Sequence, residues 1–145
     1  MTDQTVPVSG RFLWHELLCA DLEAAKGFYG ELFGWKTRGV DMGPMGTYTL
    51  ISAGDRDLGG LVERKGPSAW LPYLSHADVD GAVRIATALG ATVVAAATTI
   101  PTVGRMATLR HPEAGSFAAF CPEKGPSEPA GPPALGTFCW NEVLT

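Results

Sequence analysis

The first strong pattern along the chain is a two-residue alternation in RFLWHELLC, residues 11–19. Phe12, Trp14, Glu16 and Leu18 share one parity, and Leu13, His15, Leu17 and Cys19 the other. Such alternation with bulky apolar side chains predicts a strand. The period then changes. In DLEAAKGFYGELFGW, apolar residues recur at Leu22, Ala25, Phe28, Tyr29, Leu32 and Phe33, a three-to-four-residue spacing that predicts a helix with one apolar stripe. Asp21 is placed to cap its N-terminus. Gly34 is placed to end it, because glycine enters the left-handed turn after a helix at least cost. WKTRGV, TYTLIS and LGGLVER follow as strand-like runs, separated by the loop DMGPMGT and the turn AGDRD. Residues 11–64 therefore predict a β-α-β-β-β order.

The order then repeats. SAWLPYLSHA reads as a strand and DVDGAVRIATALG as a short helix with Val79, Ala82, Val83, Ala86 and Leu89 on one side. ATVVAAA, RMATLRH and SFAAFCPE read as three more strands. Laying Asp21 on Asp78 brings Trp14 onto Leu71, Glu16 onto Tyr73 and Leu18 onto Ser75. The expected organisation is an N-terminal arm (1–10), a first βαβββ module (11–64), a second (65–121), a linker (122–135) and an extra strand (136–145). The linker follows from its five prolines and three glycines over residues 122–136, a composition of extended chain.

The extra strand rests on an internal copy. GTFCWNEVLT at 136–145 matches GRFLWHELLC at 10–19 in five of ten positions: Gly, Phe, Trp, Glu and Leu. Its Phe138, Trp140, Val143 and Leu144 are apolar enough to favour docking over solvation, by edge pairing and burial together. The expectation is an ordered strand at a sheet edge of its own domain or of a neighbouring molecule, hence a homodimer through the C-terminal strand.

Composition narrows the function. A chain of 145 residues, 46% hydrophobic and 18% charged, has the make-up of one globular domain with a real core. The net charge of −4 has no Lys/Arg cluster to set against it, so nucleic acid is not an expected partner. Cys19, Cys121 and Cys139 form no CxxC pair and no zinc-ligand spacing, and read as reduced thiols of a cytoplasmic protein. MTDQTVPVSG lacks an apolar signal core. ATVVAAATTI, the most apolar run, is too short to span a bilayer, so no membrane partner is expected either. GxGxxG, G-x-S-x-G and HExxH are all missing.

The pair of βαβββ halves, with Asp21, Ala24, Ala25, Phe28, Tyr29, Phe33, Gly34 and Trp35 spaced as D-x-x-A-A-x-x-F-Y-x-x-x-F-G-W, resembles the vicinal oxygen chelate superfamily. That group includes glyoxalases, extradiol dioxygenases and bleomycin-resistance proteins. FLWHEL, the W-x-P-Y of Trp70 to Tyr73 and the P-x-V-G of Pro101 to Gly104 are similar to a tandem-domain actinobacterial branch of glyoxalase-like proteins. The resemblance covers about residues 11–121. It implies an α+β fold, with two βαβββ modules forming one cupped mixed sheet and helices on the outer face, to which the tail adds a strand. In the tandem branch, FCWNEVLT would be the first strand of a second domain whose remainder is absent from this chain.

The resemblance also implies a divalent metal held by His and Glu/Gln on the first and last strands of each half. The first-strand ligand position lies seven residues ahead of the capping Asp21, at Trp14 and not His15. The last-strand positions fall near Gly59–Leu61 and Ala118–Phe120, where nothing can ligate. His15 has the opposite parity, unless a bulge resets it. Glu63 could serve only in a shifted strand. His76 sits ahead of a helix, and His111 in HPEAG reads as a turn residue. No metal and no cofactor are expected.

With Trp14 inward, Phe12, Glu16 and Leu18 are inward too, and by internal symmetry so are Leu71, Tyr73 and Ser75. Tyr48, Leu50, Met106 and Phe120 are further candidate lining residues. The expected ligand-binding set is Trp14, Glu16, Tyr48, Leu50, Tyr73, Met106 and Phe120, an aromatic pocket with few polar groups, as small-molecule sites commonly are. Glu16 and Tyr73 are the candidate catalytic groups. Desolvation would raise the pKa of an inward carboxylate and suit it to acid–base work or to binding a cation. A structural Glu16 bonded to Tyr73, Tyr48 or backbone is the alternative. Three functions follow: a metal-free module sequestering a small molecule, a glyoxalase-type lyase, isomerase or dioxygenase, or an oligomerising module that uses its tail. The first is favoured.

Overall fold

The computed structural model describes residues 9–125 and 132–142. The chain divides into two compact units, one built on residues 14–71 with the tail segment 132–140, the other on residues 72–125 with the chain leading up to Leu13. Each carries one run of the repeat, and the fold class is α+β.

The first module contains β1 (Phe12–Cys19), α1 (Leu22–Phe33), β2 (Lys36–Asp41), β3 (Thr47–Ala53) and β4 (Arg56–Glu63). Its strand order is β2-β3-β4-β1, antiparallel except for the parallel pair β1/β4. The second contains β5 (Ala69–Ser75), α2 (Val79–Ala88), β6 (Thr92–Ile100), β7 (Gly104–Arg110) and β8 (Ser116–Pro122). Its order is β5-β8-β7-β6, with β5/β8 the parallel pair. In each module the helix connects the parallel strand to the rest, as a parallel pair requires a crossover.

Both helices start as the sequence predicts. The Asp21 carboxylate accepts the Ala24 amide at 2.9 Å and that of Asp78 accepts the Gly81 amide at 2.8 Å. Gly34 has φ 69° and its amide donates to the Gly30 carbonyl, closing α1. The packed faces are narrower than the spacing suggested. Leu22, Ala25 and Tyr29 pack against a core of Leu17, Cys19, Trp35, Ile51, Leu58 and Leu61. Phe28, Leu32 and Phe33 remain 61%, 58% and 49% exposed. A helix lying on a sheet buries only the arc turned toward it, and six apolar positions spread beyond that arc. In the second module, Val79, Ala107, Leu109 and Ala119 form the core, joined by Ala82, Val83 and Ala86 of α2. Leu89, expected on that face, is 77% exposed because the helix proper ends at Ala88.

The expected tail strand is not found. Residues 136–142 carry no strand, and 143–145 lie outside the described residues. The tail docks through side chains instead. Gly136 accepts the Trp35 indole N–H through its carbonyl, and Phe138 packs on Trp35 and Trp70 at ring separations of 5.6 and 5.4 Å. The apolar half of the expected drive to dock operates here, while among the described residues the tail pairs with no strand of its own chain.

Candidate functional site

Strand parity sorts the side chains of the first module into two faces. Leu17 pairs with Leu61 and both enter the core beneath α1, so His15, Leu17 and Cys19 point to the helix side. Trp14, Glu16 and Leu18 point the other way. His15 confirms the assignment by stacking on Phe138 at 3.8 Å with the rings 13° apart, among the tail contacts of the helix side. Gly60 lies opposite both Glu16 and Leu50, which places Leu50 and, two residues earlier, Tyr48 on the face of Trp14 and Glu16.

Three of these side chains form a directed relay. The Trp14 indole N–H donates to the Tyr48 hydroxyl at 3.0 Å, and that hydroxyl donates to Glu16 Oε1 at 3.1 Å. The direction follows from the donor inventory, because an indole nitrogen can only donate and the phenol then passes its own hydrogen to the carboxylate. The backbone makes room for it. A Cβ on Gly60 would run into the phenol ring and hydroxyl of Tyr48, so glycine lets the ring lie flat on β4. At Gly59 a side chain would strike the His15 carbonyl. The Gly-Gly pair in LGGLVER is the sequence signal for this close approach, and reading that run only as a strand missed it.

In the second module, Ala107, Phe117, Ala119 and Cys121 belong to the helix side. Tyr73 pairs with Ala118, and Met106 with Phe120, so Tyr73, Met106 and Phe120 share the face turned away from α2. Tyr73 and Phe120 meet edge-on at 5.7 Å, both buried. All seven candidate lining residues thus sit on the face away from their own module's helix. Trp14, Tyr48 and Glu16 are joined directly, and Leu50 is beside them in register. Tyr73, Met106 and Phe120 form the second group. The two candidate catalytic groups, Glu16 and Tyr73, belong to different compact units.

A groove of about 360 Å³ lies elsewhere, on the helix side of the first module. It is walled by Tyr29, Phe33, Trp35, Trp70, Phe138 and Trp140. Trp35 and Trp70 cross at 89°, and the Trp70 indole N–H donates to the Tyr29 hydroxyl at 3.3 Å. The groove depends on the docked tail, which the strand expectation for residues 136–145 concealed.

Cys19 is buried, and burial first, then the nearby Glu63 and Asp21 carboxylates, push its thiol pKa up, so it is a poor nucleophile. No helix among the described residues is long and apolar enough to cross a membrane.

Residues 11–54 match the family described as "Bleomycin resistance protein-like N-terminal". Two relatives extend the match. "Putative glyoxylase CFP32" of Mycobacterium bovis is 31% identical over 117 residues, which cover 79% of this chain and 45% of the relative. "Anthracycline biosynthesis protein DauV" of Streptomyces sp. (strain C5) is 27% identical over 151 aligned positions, covering 91% of this chain and 54% of the relative. The chain spans about half the length of the curated relatives it matches. Among solved structures, the Mn(II)-bound glyoxalase from Novosphingobium aromaticivorans superposes with a TM-score of 0.57 at 17% identity. That superposition covers 85% of this chain and 44% of the glyoxalase, and shows a shared fold. In sequence and in fold the chain is similar to the vicinal oxygen chelate superfamily.

The superfamily's metal chemistry needs convergent His and carboxylate donors, and the residues present do not fit it. Trp14 stands at the first-strand ligand position with its N–H committed to Tyr48. His15 is on the opposite face, and so is Glu63, two residues beyond the core residue Leu61 and paired with Cys19. His76 Nδ1 accepts the Asp78 amide at 3.1 Å, and His111 Nδ1 accepts those of Glu113 and Ala114 at 3.1 and 3.0 Å. Both imidazoles therefore serve as turn caps. Among the described residues no three His, Cys, Asp or Glu side chains gather as a metal site would require.

Proposed function

We propose that this protein binds a flat, largely apolar small molecule without a metal, and that it sequesters the molecule instead of transforming it. The observation that carries this reading is the Trp14–Tyr48–Glu16 relay on the sheet face turned away from α1. Trp14 and Leu50 supply apolar surface for a planar ligand. Glu16, oriented by Tyr48, supplies one polar contact suited to an N–H, an O–H or a cationic group. The likeness to the bleomycin-resistance family and to a protein named for anthracycline biosynthesis supports a planar aromatic ligand class. Cys19, Cys121 and Cys139 are free thiols, which suits a cytoplasmic location.

The test is a thermal-shift screen of the whole chain with planar polycyclic aromatic compounds, run with and without a chelator. A compound present at one hundred times its Kd adds about 2.7 kcal/mol, which for a domain of this size raises Tm by on the order of 10 °C. The expected shift is the same with chelator, is much reduced in Trp14→Ala, and comes with no change in the recovered compound. Shifts that vanish with chelator would overturn the reading.

A second reading is a glyoxalase-type enzyme, favoured by the name of the mycobacterial relative and the fold of the Mn(II)-bound glyoxalase. Glu16 would then be the general base. Turnover of a substrate that is lost in Glu16→Gln, with binding retained, would establish it.

A further inference from the structure

The direction of the Trp14–Tyr48–Glu16 relay is fixed from one end. An indole nitrogen donates and never accepts, so the Tyr48 oxygen takes the Trp14 hydrogen at 3.0 Å and turns its own toward Glu16 Oε1 at 3.1 Å. A phenol that accepts a hydrogen bond is a stronger donor in turn. The relay therefore ends on an acceptor, and a hydrogen bond received by a carboxylate favours its charged form. All three side chains are half-buried, so a solute can reach them while water screens them only in part. Where β1 and β4 pair, from His15–Gly59 to Cys19–Glu63, the face of the relay carries Glu16, Leu18, Gly60 and Val62. Glu16 is the one ionisable side chain among these four. Register places two cations of the first module on the same face, Lys36 and Arg38 of β2. β2 stands three strands from β1, about 14 Å in backbone separation at the usual strand spacing, which exceeds the ~8 Å screening length of physiological salt. Arg38 is also tied to Asp57 at 2.6 Å.

Given the planar-ligand site proposed above, on which this rests, we infer that its occupant is a cation: an aromatic ring system bearing a protonated amine, with Glu16 as counter-ion and with Tyr48 and Trp14 positioning the carboxylate. A ligand that offers only acceptors, such as a carboxylate or a phosphate, would set oxygen against oxygen at Glu16. A neutral hydroxyl can donate, but an ammonium adds the attraction of opposite charges in a half-buried setting. Trp14 adds to the preference. Its N–H is turned to Tyr48, and indole is the aromatic ring that best attracts a cation to its face. Trp14 and Glu16 are two residues apart on one face of β1, roughly 7 Å along the strand. That span lets a ring lie on the indole while an amine one methylene away reaches the carboxylate. Tyr48 acts through Glu16: its hydroxyl holds Oε1 and so limits rotation of the carboxylate, and Gly60 leaves the room that its ring needs.

Calorimetric titration of the full chain with naphthylmethylamine, naphthylmethanol and naphthoate, all substituted at the same ring position, tests it. At neutral pH and low ionic strength the protonated amine should bind at least tenfold more tightly than the alcohol, and the naphthoate should not bind. Added salt should shrink the ratio. Glu16→Gln keeps the shape of the side chain and should bring the Kd of the amine to that of the alcohol. Tyr48→Phe should lower the ratio of the two at least threefold, whereas a general loosening of the site would weaken both alike and leave the ratio in place. An unchanged ratio in Tyr48→Phe overturns the positioning role of that residue. Equal binding of amine and alcohol, binding of naphthoate, or a preference for the amine that survives Glu16→Gln overturns the cationic ligand and leaves the planar-ligand site standing. Binding of none of the three, while uncharged polycyclic compounds still stabilise the chain, overturns it as well. With no stabilisation by any of them, the site itself falls.

Discussion

The two modules follow one plan with different side chains, and the contrast locates the chemistry. The first packs large residues beneath its helix, with Trp35, Ile51, Leu58 and Leu61 joined by Tyr29, Trp70 and Phe138. The second packs small ones, with Ala107 and Ala119 joined by Ala82, Ala86 and Ala97 around Val79 and Leu109. An aromatic layer leaves ring edges to cover, and the tail covers them with Phe138. An alanine-rich layer lets helix and sheet approach closely and calls for no cover. On the other face the same division recurs. The first module carries a hydrogen-bonded Trp–Tyr–Glu relay, the second a Tyr73–Phe120 ring pair. Polar chemistry is concentrated in the first module.

Core deletions should separate the modules most strongly. Leu61→Ala and Leu109→Ala each remove a side chain that is 2% and 0% exposed, and large-to-small changes of this kind cost about 2–5 kcal/mol. The cost of Leu109→Ala should lie toward the upper end, because the alanines around it cannot reach into the cavity, whereas the larger residues around Leu61 can. Urea unfolding of both variants measures the difference, and equal values would remove this distinction.

The glycines give the next effect. Gly60 pairs with Glu16 beneath the Tyr48 ring, while the matching place in the second module is Ala118, paired with Tyr73. Gly60→Ala should cost about 1–3 kcal/mol as overpacking and break the Tyr48–Glu16 bond, abolishing ligand-induced stabilisation. Ala118→Gly should cost about 1–2 kcal/mol, through backbone freedom together with the loss of a fully buried methyl. Phe138→Ala comes lower, at about 1–2 kcal/mol, below the 3–5 kcal/mol of a fully buried phenylalanine because the ring is partly exposed. Its effect should be local, with faster proteolysis of the tail and unchanged amide exchange in α2 and β7.

The smallest effect is electrostatic and confined to the second module. Arg105 grips both oxygens of Asp80 at 2.8 Å, and that hydrogen-bonded guanidinium holds the Asp80 carboxyl below its usual value. A depressed carboxylate stabilises the fold above its unfolded pKa, and the contribution fades as pH falls through the folded value. Arg105→Ala should therefore lower stability slightly at neutral pH and remove a small part of the acid-side decline. The pair is exposed, so added salt should weaken it.

Much of this plan was legible in the sequence, for physical reasons. Alternation in RFLWHELLC fixed which residues share a face, and Asp21, Gly34 and Asp78 marked the helix ends through capping chemistry that depends only on local residues. The faces of Trp14 and His15 followed from parity alone. The partner of Glu16 did not, because three hydroxyl or backbone groups were within plausible reach, and only the Tyr48 ring lying over Gly60 selects one. Phe28, Leu32 and Phe33 looked like one buried stripe because periodicity reports spacing and not how wide an arc the sheet covers. The tail copies the first strand in sequence but docks by its rings, since pattern predicts which residues seek burial and not which surface receives them.

Calorimetric titration of Mn²⁺, Zn²⁺ and Ni²⁺ into chelator-treated protein tests the metal-free reading most directly. With an indole at the first-strand position and each imidazole engaged elsewhere, the heats should be those of weak surface association, with no saturation at one ion per chain. Saturation at one equivalent, lost in Glu16→Gln, would contradict the account and return the protein to chelate chemistry.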